Sequence, residues 1–356
     1  MAHKKRVLLA MSGGVDSSVA ALLLLRQGYD VIGATMHIWQ DEDVEDIARQ
    51  NGCCGQSAVD DARRVANTLN IPYYVLNMKN VFKSRVIDYF LREYLAGRTP
   101  NPCIACNRYV KWEALLQRAI ELNADYLATG HYASVITHPN TGRLCIKSAG
   151  DKDQSYALYS LTQSQLAKTL FPVYGHTKAE IRAYATAAGL PVADKPDSQE
   201  ICFVTDGDYA SFIERSGLSV PPGDFLDEEG NIIGRHNGII RYTLGQRKGL
   251  GSFGKPMFVK KINPKSNTVT LAESVLFNFA TVQEVNWMAY EADTAPSRLR
   301  VKIRYSAKPA QCELYVLPDG TIDCVFDAPQ RAVTPGQAAV FYDARDNIVC
   351  GGVIKH

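Results

Sequence analysis

Ser12, Gly13, Gly14, Val15 and Asp16 sit between two apolar runs, Val7–Met11 and the stretch from Ser17 onward, within VLLAMSGGVDSSVAALLLL. Two adjacent glycines allow positive φ and close backbone approach, so several N–H groups can converge on one anion at the positive end of the following helix. The chemistry of such a turn is phosphate binding. An isolated Gly-Gly is more often a tight turn with a capping serine. The full string SGGVDSS, set between strand and helix, favours the phosphate cradle, and with no Gly-Lys-Ser/Thr ending it is not a Walker A loop.

Cysteines form the second reactive set. Cys103 and Cys106 lie in GRTPNPCIACNRYVK, after two prolines and before a helix, and Cys202 lies far downstream in DSQEICF. Four readings of these thiols compete. Structural zinc needs four ligands, usually as two close pairs, and Cys202 has no close partner. A thioredoxin-like pair at Cys103 and Cys106 lacks the βαβ context of that motif. Inert burial is the plain reading, taken for Cys145, Cys312, Cys324 and Cys350. The fourth is sulfur transfer, in which one thiol carries a persulfide and another resolves it.

The elements that must position these residues follow from periodicity. Val7–Met11, Val31–Met36, Tyr73–Leu76 and Tyr126–Thr129 read as strands, with helices from Ser17, over Ser57–Leu69 and over Val81–Leu95. Such alternation predicts an α/β fold, a doubly wound parallel sheet with ligands at the carboxyl ends of its strands, where Met36 and Gly130 fall. After about Asp206 the punctuation PPGD, EEGN, RHNG and LGQRKGLG marks short β runs. The expected organisation is a catalytic domain over 1–205, a small central β domain over 206–275 and a C-terminal β barrel or sandwich over 276–356.

The chain has 356 residues, 46% hydrophobic and 21% charged, with a net charge of +2, so a nucleic-acid surface must be local. No run of about 18 apolar residues predicts a membrane span. Nine cysteines are too sparse for a disulfide scaffold, which predicts a cytoplasmic protein with reactive thiols.

SGGVDS resembles the pyrophosphate loop of the ATP pyrophosphatase superfamily, whose members cleave ATP between the α- and β-phosphates. The whole chain resembles the tRNA-specific 2-thiouridylases. The likeness runs through Cys53-Cys54, LAGRTPNPCIACN, TGHYA from Thr129, DKDQSYAL from Asp151, PDSQEICF, YTLGQRKG from Tyr242 and the C-terminal RYSAKP. It implies an adenine nucleotide alpha hydrolase-like first domain followed by two small β domains.

By this resemblance Ala10, Met11, Ser12, Gly13, Gly14, Val15, Asp16, Ser17, Met36 and Gly130 hold ATP, with Asp16 organising Mg²⁺ and pyrophosphate. Cys106 matches the nucleophile and Cys202 the persulfide-bearing cysteine. Asn101, Pro102 and Cys103 match the segment that contacts the target base. Many family members carry Asp where this chain has Cys103, so no acid or base role is carried over there. Cys103, Cys106 and Cys202 also offer three ligands to an iron–sulfur cluster, the alternative to a persulfide. The implied partners are a tRNA with a wobble uridine and a persulfide sulfur-carrier protein. No role is assigned to Cys53 or Cys54.

RNA contact has its own pattern. Ser297–Tyr305 alternates strictly, with Arg298, Arg300, Lys302 and Arg304 on one strand face and Leu299, Val301 and Ile303 on the other. A basic stripe suits a phosphate backbone, with a plain solvated face as the alternative; Arg241, Arg247 and Lys248 extend it. The resemblance adds His131, Lys152, Asp153, Gln154, Arg304, Tyr305 and Gln337 as tRNA contacts. A lone histidine beside a strand end is more often a hydrogen-bonder than a catalyst, so His131 is given contact, not acid–base duty. Two other functions stand as alternatives. A ligase adenylating a small substrate for attack by nitrogen would need neither distant thiol, and a non-enzymatic RNA-binding module would not need an intact SGGVDS.

Overall fold

Continuous apolarity makes the first strand a central one: in RVLLA, Val7, Leu8 and Leu9 are fully buried. The computed structural model describes residues 4–39, 56–196, 201–204 and 206–355. They divide between two units, one holding Met1–Val86, Cys103–Gly207 and Asp346–Ile348, the other Ile87–Pro102, Asp208–Arg345 and Val349–His356.

In the first unit the strands are β1 (Arg6–Ala10), β2 (Asp30–His37), β3 (Tyr73–Asn77), β4 (Tyr126–Ala128), β5 (Ala133–Thr137), β6 (Leu144–Ser148) and β7 (Thr169–Leu170). Five form a sheet in the order β3-β2-β1-β4-β7, with every neighbouring pair parallel. The expected doubly wound α/β sheet is therefore present. Strand order reverses at β1, which pairs with β2 on one side and β4 on the other. The crevice beyond the carboxyl ends of β1 and β4 is thus the topological switch point, where such sheets bind ligands. β5 and β6 form a separate antiparallel hairpin.

The helix Val15–Arg26 follows β1 directly. Val15, Val19, Ala20, Ala21, Leu23 and Leu24 are buried, and with Ile181 and Ala185 of the helix Lys178–Ala187 they join one apolar core. Small alanines between larger aliphatic residues let these two helices approach closely.

Two helices depart from the sequence reading. The stretch expected as one helix over Val81–Leu95 is an α-turn at Lys79–Phe82, a wide π-type segment Lys83–Ile87 and an α-helix Asp88–Leu95. Cys103 and Cys106 do not precede their helix but lie in it. Pro102, with φ already helical and no N–H to satisfy, opens the helix Pro102–Ala105, and Cys106 begins the π-type helix Cys106–Leu115.

In the second unit β8 (Gly223–Leu226), β9 (Ile232–His236), β10 (Phe258–Asn263) and β11 (Thr268–Ala272) form a sheet in the order β10-β11-β8-β9. Its core gathers Phe225, Ile239, Tyr242, Leu250, Met257, Val259, Val269 and Leu271. β12 (Leu276–Trp287), β13 (Arg298–Lys302), β14 (Ala310–Val316), β15 (Ile322–Arg331), β16 (Ala338–Tyr342) and β17 (Ile348–Ile354) close into a barrel in the order β12-β15-β14-β13-β16-β17. Leu299, Val301 and Ile303 point inward as the alternation requires. Among the described residues no helix is long and apolar enough to cross a membrane.

Candidate functional site

The loop after β1 has room for glycine alone at one position. Gly13 has φ +66°, and a Cβ there would come within 2.4 Å of the Ala58 carbonyl oxygen. The helix Gln56–Thr68 thus backs directly onto the turn. Gly14 is the N-cap of Val15–Arg26 and offers no side-chain cap, so no side chain of its own covers the positive end of the helix. Ser17 and Ser18 Oγ both donate to the Gly14 carbonyl, at 3.1 and 2.8 Å, and Ser12 N–H donates to Ser17 Oγ at 3.2 Å. The serines thereby brace the turn from within.

Gly130, just past β4, closes the other side: a Cβ there would lie 2.7 Å from Ser17 N. Met11 N–H donates to the Ala34 carbonyl, and Thr35 Oγ1 donates to the Met11 carbonyl at 2.7 Å. That fixes the end of β1 against β2, whose Met36 is buried. Ala10 to Ser17, Met36 and Gly130 therefore all lie on the loops and strand ends about the switch point.

Charge enters from residues the sequence reading passed over. The Asp16 carboxylate accepts from Lys178 Nζ at 2.7 and 2.9 Å and from the Tyr132 hydroxyl at 2.7 Å. Lys178 opens a helix held by a capping box between Thr177 and Glu180. Lys195 Nζ donates to the Gly13 carbonyl at 3.1 Å and to Asp61 Oδ2 at 2.6 Å; Asp61 also pairs with Arg64. Two ammonium groups thus border the cradle. A glycine-only turn, an uncapped helix start and two lysines fit the phosphates of ATP. One carboxylate beside phosphate oxygens is also a normal way to hold Mg²⁺.

The cysteines occupy different settings. Cys103 is exposed, Cys106 and Cys202 are half-buried, and Cys145, Cys312, Cys324 and Cys350 are buried. A hydrogen bond with Cys312, then burial, raises the thiol pKa of Cys324, and burial raises that of Cys350, so neither readily forms a thiolate. Phe203, next to Cys202, is buried with its ring edge-on to Phe82 at 5.8 Å. The turn Lys79–Phe82 in turn packs against the helix that Cys106 begins. Cys202 and Cys106 are thus tied to adjoining elements through one aromatic pair. Among the described residues no three Cys, His, Asp or Glu side chains gather as a metal site. Cys53 and Cys54 lie outside the described residues.

His131 Nδ1 lies 2.6 Å from Thr129 Oγ1, with its ring against Trp112 and Phe171 at centroid distances of 5.8 and 6.0 Å. This enclosure, with the Lys111 charge second, holds its pKa well below 6.5, so the ring is neutral at physiological pH. In the turn after β6, Asp153 Oδ1 accepts from Ser155 N–H, and Lys152 is exposed. Gln154 Oε1 accepts from Tyr132 N–H at 2.9 Å, and the Tyr132 carbonyl accepts from Gln154 N–H. Tyr132 therefore joins this turn to Asp16.

In the second unit Gln337 Nε2 donates to the carbonyls of Thr99 and Pro100 at 2.9 and 3.2 Å. Thr99 N–H donates to the Pro335 carbonyl. The chain entering Asn101 and Pro102, half-buried and buried, is held by this clamp. The predicted basic stripe, whose strand β13 ends at Lys302, is largely engaged. Arg298 forms a two-point pair with Asp327, Arg300 donates to the Asp343 carbonyl, and Arg304 donates to the Arg331 and Ala332 carbonyls at 2.7 and 3.0 Å. Tyr305 is exposed, with Lys302 Nζ 5.7 Å from its ring centroid.

A parallel sheet with a glycine-led anion cradle at its switch point, followed by two β modules, defines a nucleotide-binding α/β protein of the pyrophosphate-loop class. Residues 5–206 match the tRNA methyl transferase HUP domain, 210–273 the tRNA methyl transferase PRC-barrel domain, and 278–354 the aminomethyltransferase beta-barrel domain. The chain is 56% identical to the tRNA-specific 2-thiouridylase MnmA of Lachnoclostridium phytofermentans, across 98% of this chain and 99% of that one. It is 54% identical to the protein of that name from Acetivibrio thermocellus, across 99% of each. For Clostridioides difficile the identity is 51%, across 100% of this chain and 99% of that one. The chain belongs to the tRNA-specific 2-thiouridylase family.

Proposed function

We propose that this chain is an ATP-dependent tRNA-uridine 2-sulfurtransferase acting on the wobble uridine. The observation that carries the reading is that the unit holding the pyrophosphate cradle also carries Cys106 and Cys202 on adjoining elements, joined through Phe82 and Phe203. Activation of an oxygen and delivery of sulfur are thereby provided for in one unit.

A uracil C2 oxygen is a poor leaving group. Attack by O2 on the α-phosphorus of ATP converts it to an adenylate and releases pyrophosphate. Gly13, Gly14 and the start of Val15–Arg26 hold the phosphates, and Lys178 and Lys195 balance the charge that develops on the leaving pyrophosphate. Asp16 would hold Mg²⁺ when it is bound, and the ion would supply further charge neutralisation at the same place. A sulfur-carrier protein delivers sulfur to Cys202 as a persulfide. Its terminal sulfur bonds to C2, and the Cys106 thiolate attacks Cys202 Sγ. The sulfur–sulfur electron pair passes to the transferred sulfur and AMP leaves, giving 2-thiouridine and a Cys106–Cys202 disulfide. A thiol reductant supplies two electrons to restart the cycle.

Residues 1–205 form the catalytic part in this reading, 206–275 the central part and 276–356 an RNA-contacting barrel. Asn101, Pro102 and Cys103 meet the target base, splayed from its stack. His131 meets the RNA as a neutral ring, and Lys152, Asp153, Gln154, Tyr305 and Gln337 are further contacts. Arg304, engaged with two carbonyls, reaches a phosphate with the remaining edge of its guanidinium.

The test is incubation of anaerobically purified protein with ATP, Mg²⁺, a persulfide donor and unmodified tRNA, followed by nucleoside mass spectrometry. The reading requires 2-thiouridine and AMP from the native protein and no 2-thiouridine from Cys106→Ser or Cys202→Ser. AMP without 2-thiouridine in the native protein would move the assignment to nitrogen transfer.

A further inference from the structure

Outside the residues already discussed, one aromatic ring beside Cys106 gathers two cations. The guanidinium carbon of Arg108 lies 5.0 Å from the Tyr109 ring centroid, and that of Arg85 lies 5.4 Å from it. Arg85 comes from the wide-turn segment Lys83–Ile87, and Arg108 and Tyr109 from the second wide-turn helix, Cys106–Leu115. On that second helix Asn107, Val110, Trp112 and Leu115 are buried, while Arg108 and Tyr109 are half-buried; Arg85 is exposed. The first turn of that helix therefore presents a basic and an aromatic side chain, with the exposed Glu113 further along it.

We propose that Arg85, Tyr109 and Arg108 form a phosphate-binding patch that holds the backbone of the RNA substrate next to Cys106. The proposal rests on the tRNA reading above and adds a site to it. A guanidinium drawn to an aromatic ring keeps N–H donors able to make a two-point contact with a phosphate, and Arg85 is exposed to do so. That exposed arginine has no carboxylate partner among the described residues. This differs from the β13 stripe, where Arg298 is balanced by Asp327. The rigid ring also pre-sets two long side chains that would otherwise lose rotamer freedom on binding.

Binding of unmodified tRNA is measured by filter retention between 50 and 200 mM salt for the native protein and the variants Arg85→Ala/Arg108→Ala, Arg85→Lys/Arg108→Lys, Tyr109→Leu and Tyr109→Phe. The double alanine variant should bind roughly tenfold more weakly, and the slope of log Kd against log salt should fall by about 1 to 2, one lost phosphate contact accounting for about 0.7 to 0.9. The double lysine variant should keep most of the slope but lose affinity, because an ammonium makes no two-point contact. Tyr109→Leu should weaken binding and Tyr109→Phe should not. A native salt slope in the double alanine variant overturns the patch. So does weaker binding without a slope change when the melting temperature falls in parallel, since that is a structural role. If the native protein neither binds tRNA nor forms 2-thiouridine, the functional reading fails first and the patch with it.

Discussion

The hydroxyl of Tyr132 donates to Asp16 Oδ1 at 2.7 Å, while the backbone N–H of the same tyrosine donates to Gln154 Oε1 at 2.9 Å. One residue thus links the pyrophosphate loop to a turn assigned to RNA contact. Lys178 completes the arrangement by pairing with both oxygens of Asp16. Lys178→Ala should raise the KM for ATP roughly tenfold, a loss of about 1.4 kcal/mol. Tyr132→Phe, which removes one neutral donor, should cost about 0.5 to 1.5 kcal/mol. ATP–pyrophosphate exchange in the presence of tRNA measures both, and unchanged KM values would remove Lys178 from the phosphate site.

Gly13→Ala meets two penalties at once, a left-handed φ of +66° and a contact of 2.4 Å with the Ala58 carbonyl oxygen. The loop or the helix Gln56–Thr68 must shift. Stability should fall by about 1 to 3 kcal/mol, and ATP cleavage should fall far more than that loss of folded protein explains. Denaturant unfolding and AMP release, measured on the same preparation, separate the two effects.

His131 sets a pH dependence. Enclosure, then the Lys111 charge, holds its folded pKa well below 6.5, so between the folded and unfolded values the unfolded chain binds the extra proton. Stability from this residue is full above about pH 6.5 and is lost as pH falls below it. His236, lowered chiefly by burial, adds a contribution of the same sign. The denaturation midpoint of the native protein should therefore drop from pH 7.5 to 5.5, and His131→Gln should show a smaller drop. An equal drop in both proteins would show that His131 is not titrating as described.

Gln337 holds the Thr99 and Pro100 carbonyls with one amide group. In Gln337→Glu the carboxylate cannot donate, and two carbonyls lose their partner. Sulfur transfer to tRNA should fall at least tenfold in kcat/KM, while the KM for ATP should stay within about twofold. A matching loss in ATP binding would place Gln337 in general folding rather than in support of the segment proposed to meet the base.

The glycine turn between β1 and the helix Val15–Arg26 is legible in the sequence because its determinants are local: the two glycines and the flanking apolar runs act within one turn. The parallel sheet is legible for the same reason, each strand being a short apolar run. Lys178 is not legible, because it meets Asp16 across 162 residues and nothing near Lys178 marks it as a partner of that loop. The wide turns at Lys83–Ile87 and Cys106–Leu115 also escape, since over five to ten residues a π-type period is hard to tell from an α-helical one. The alternation gives the shared face of Arg298, Arg300 and Lys302, but β13 ends at Lys302, short of Arg304. That Arg304 braces two carbonyls depends on where β15 ends, which no local pattern encodes.

The central claim is that Cys202 carries the sulfur and Cys106 resolves it. The direct measurement is a single turnover: protein loaded with labelled persulfide, freed of donor and mixed with ATP, Mg²⁺ and unmodified tRNA, then alkylated and digested. The account predicts labelled 2-thiouridine and a disulfide-linked peptide pair containing Cys106 and Cys202 in equal amounts, and neither product from Cys106→Ser. Labelled 2-thiouridine formed without that disulfide, or formed by Cys106→Ser at the native rate, would contradict it.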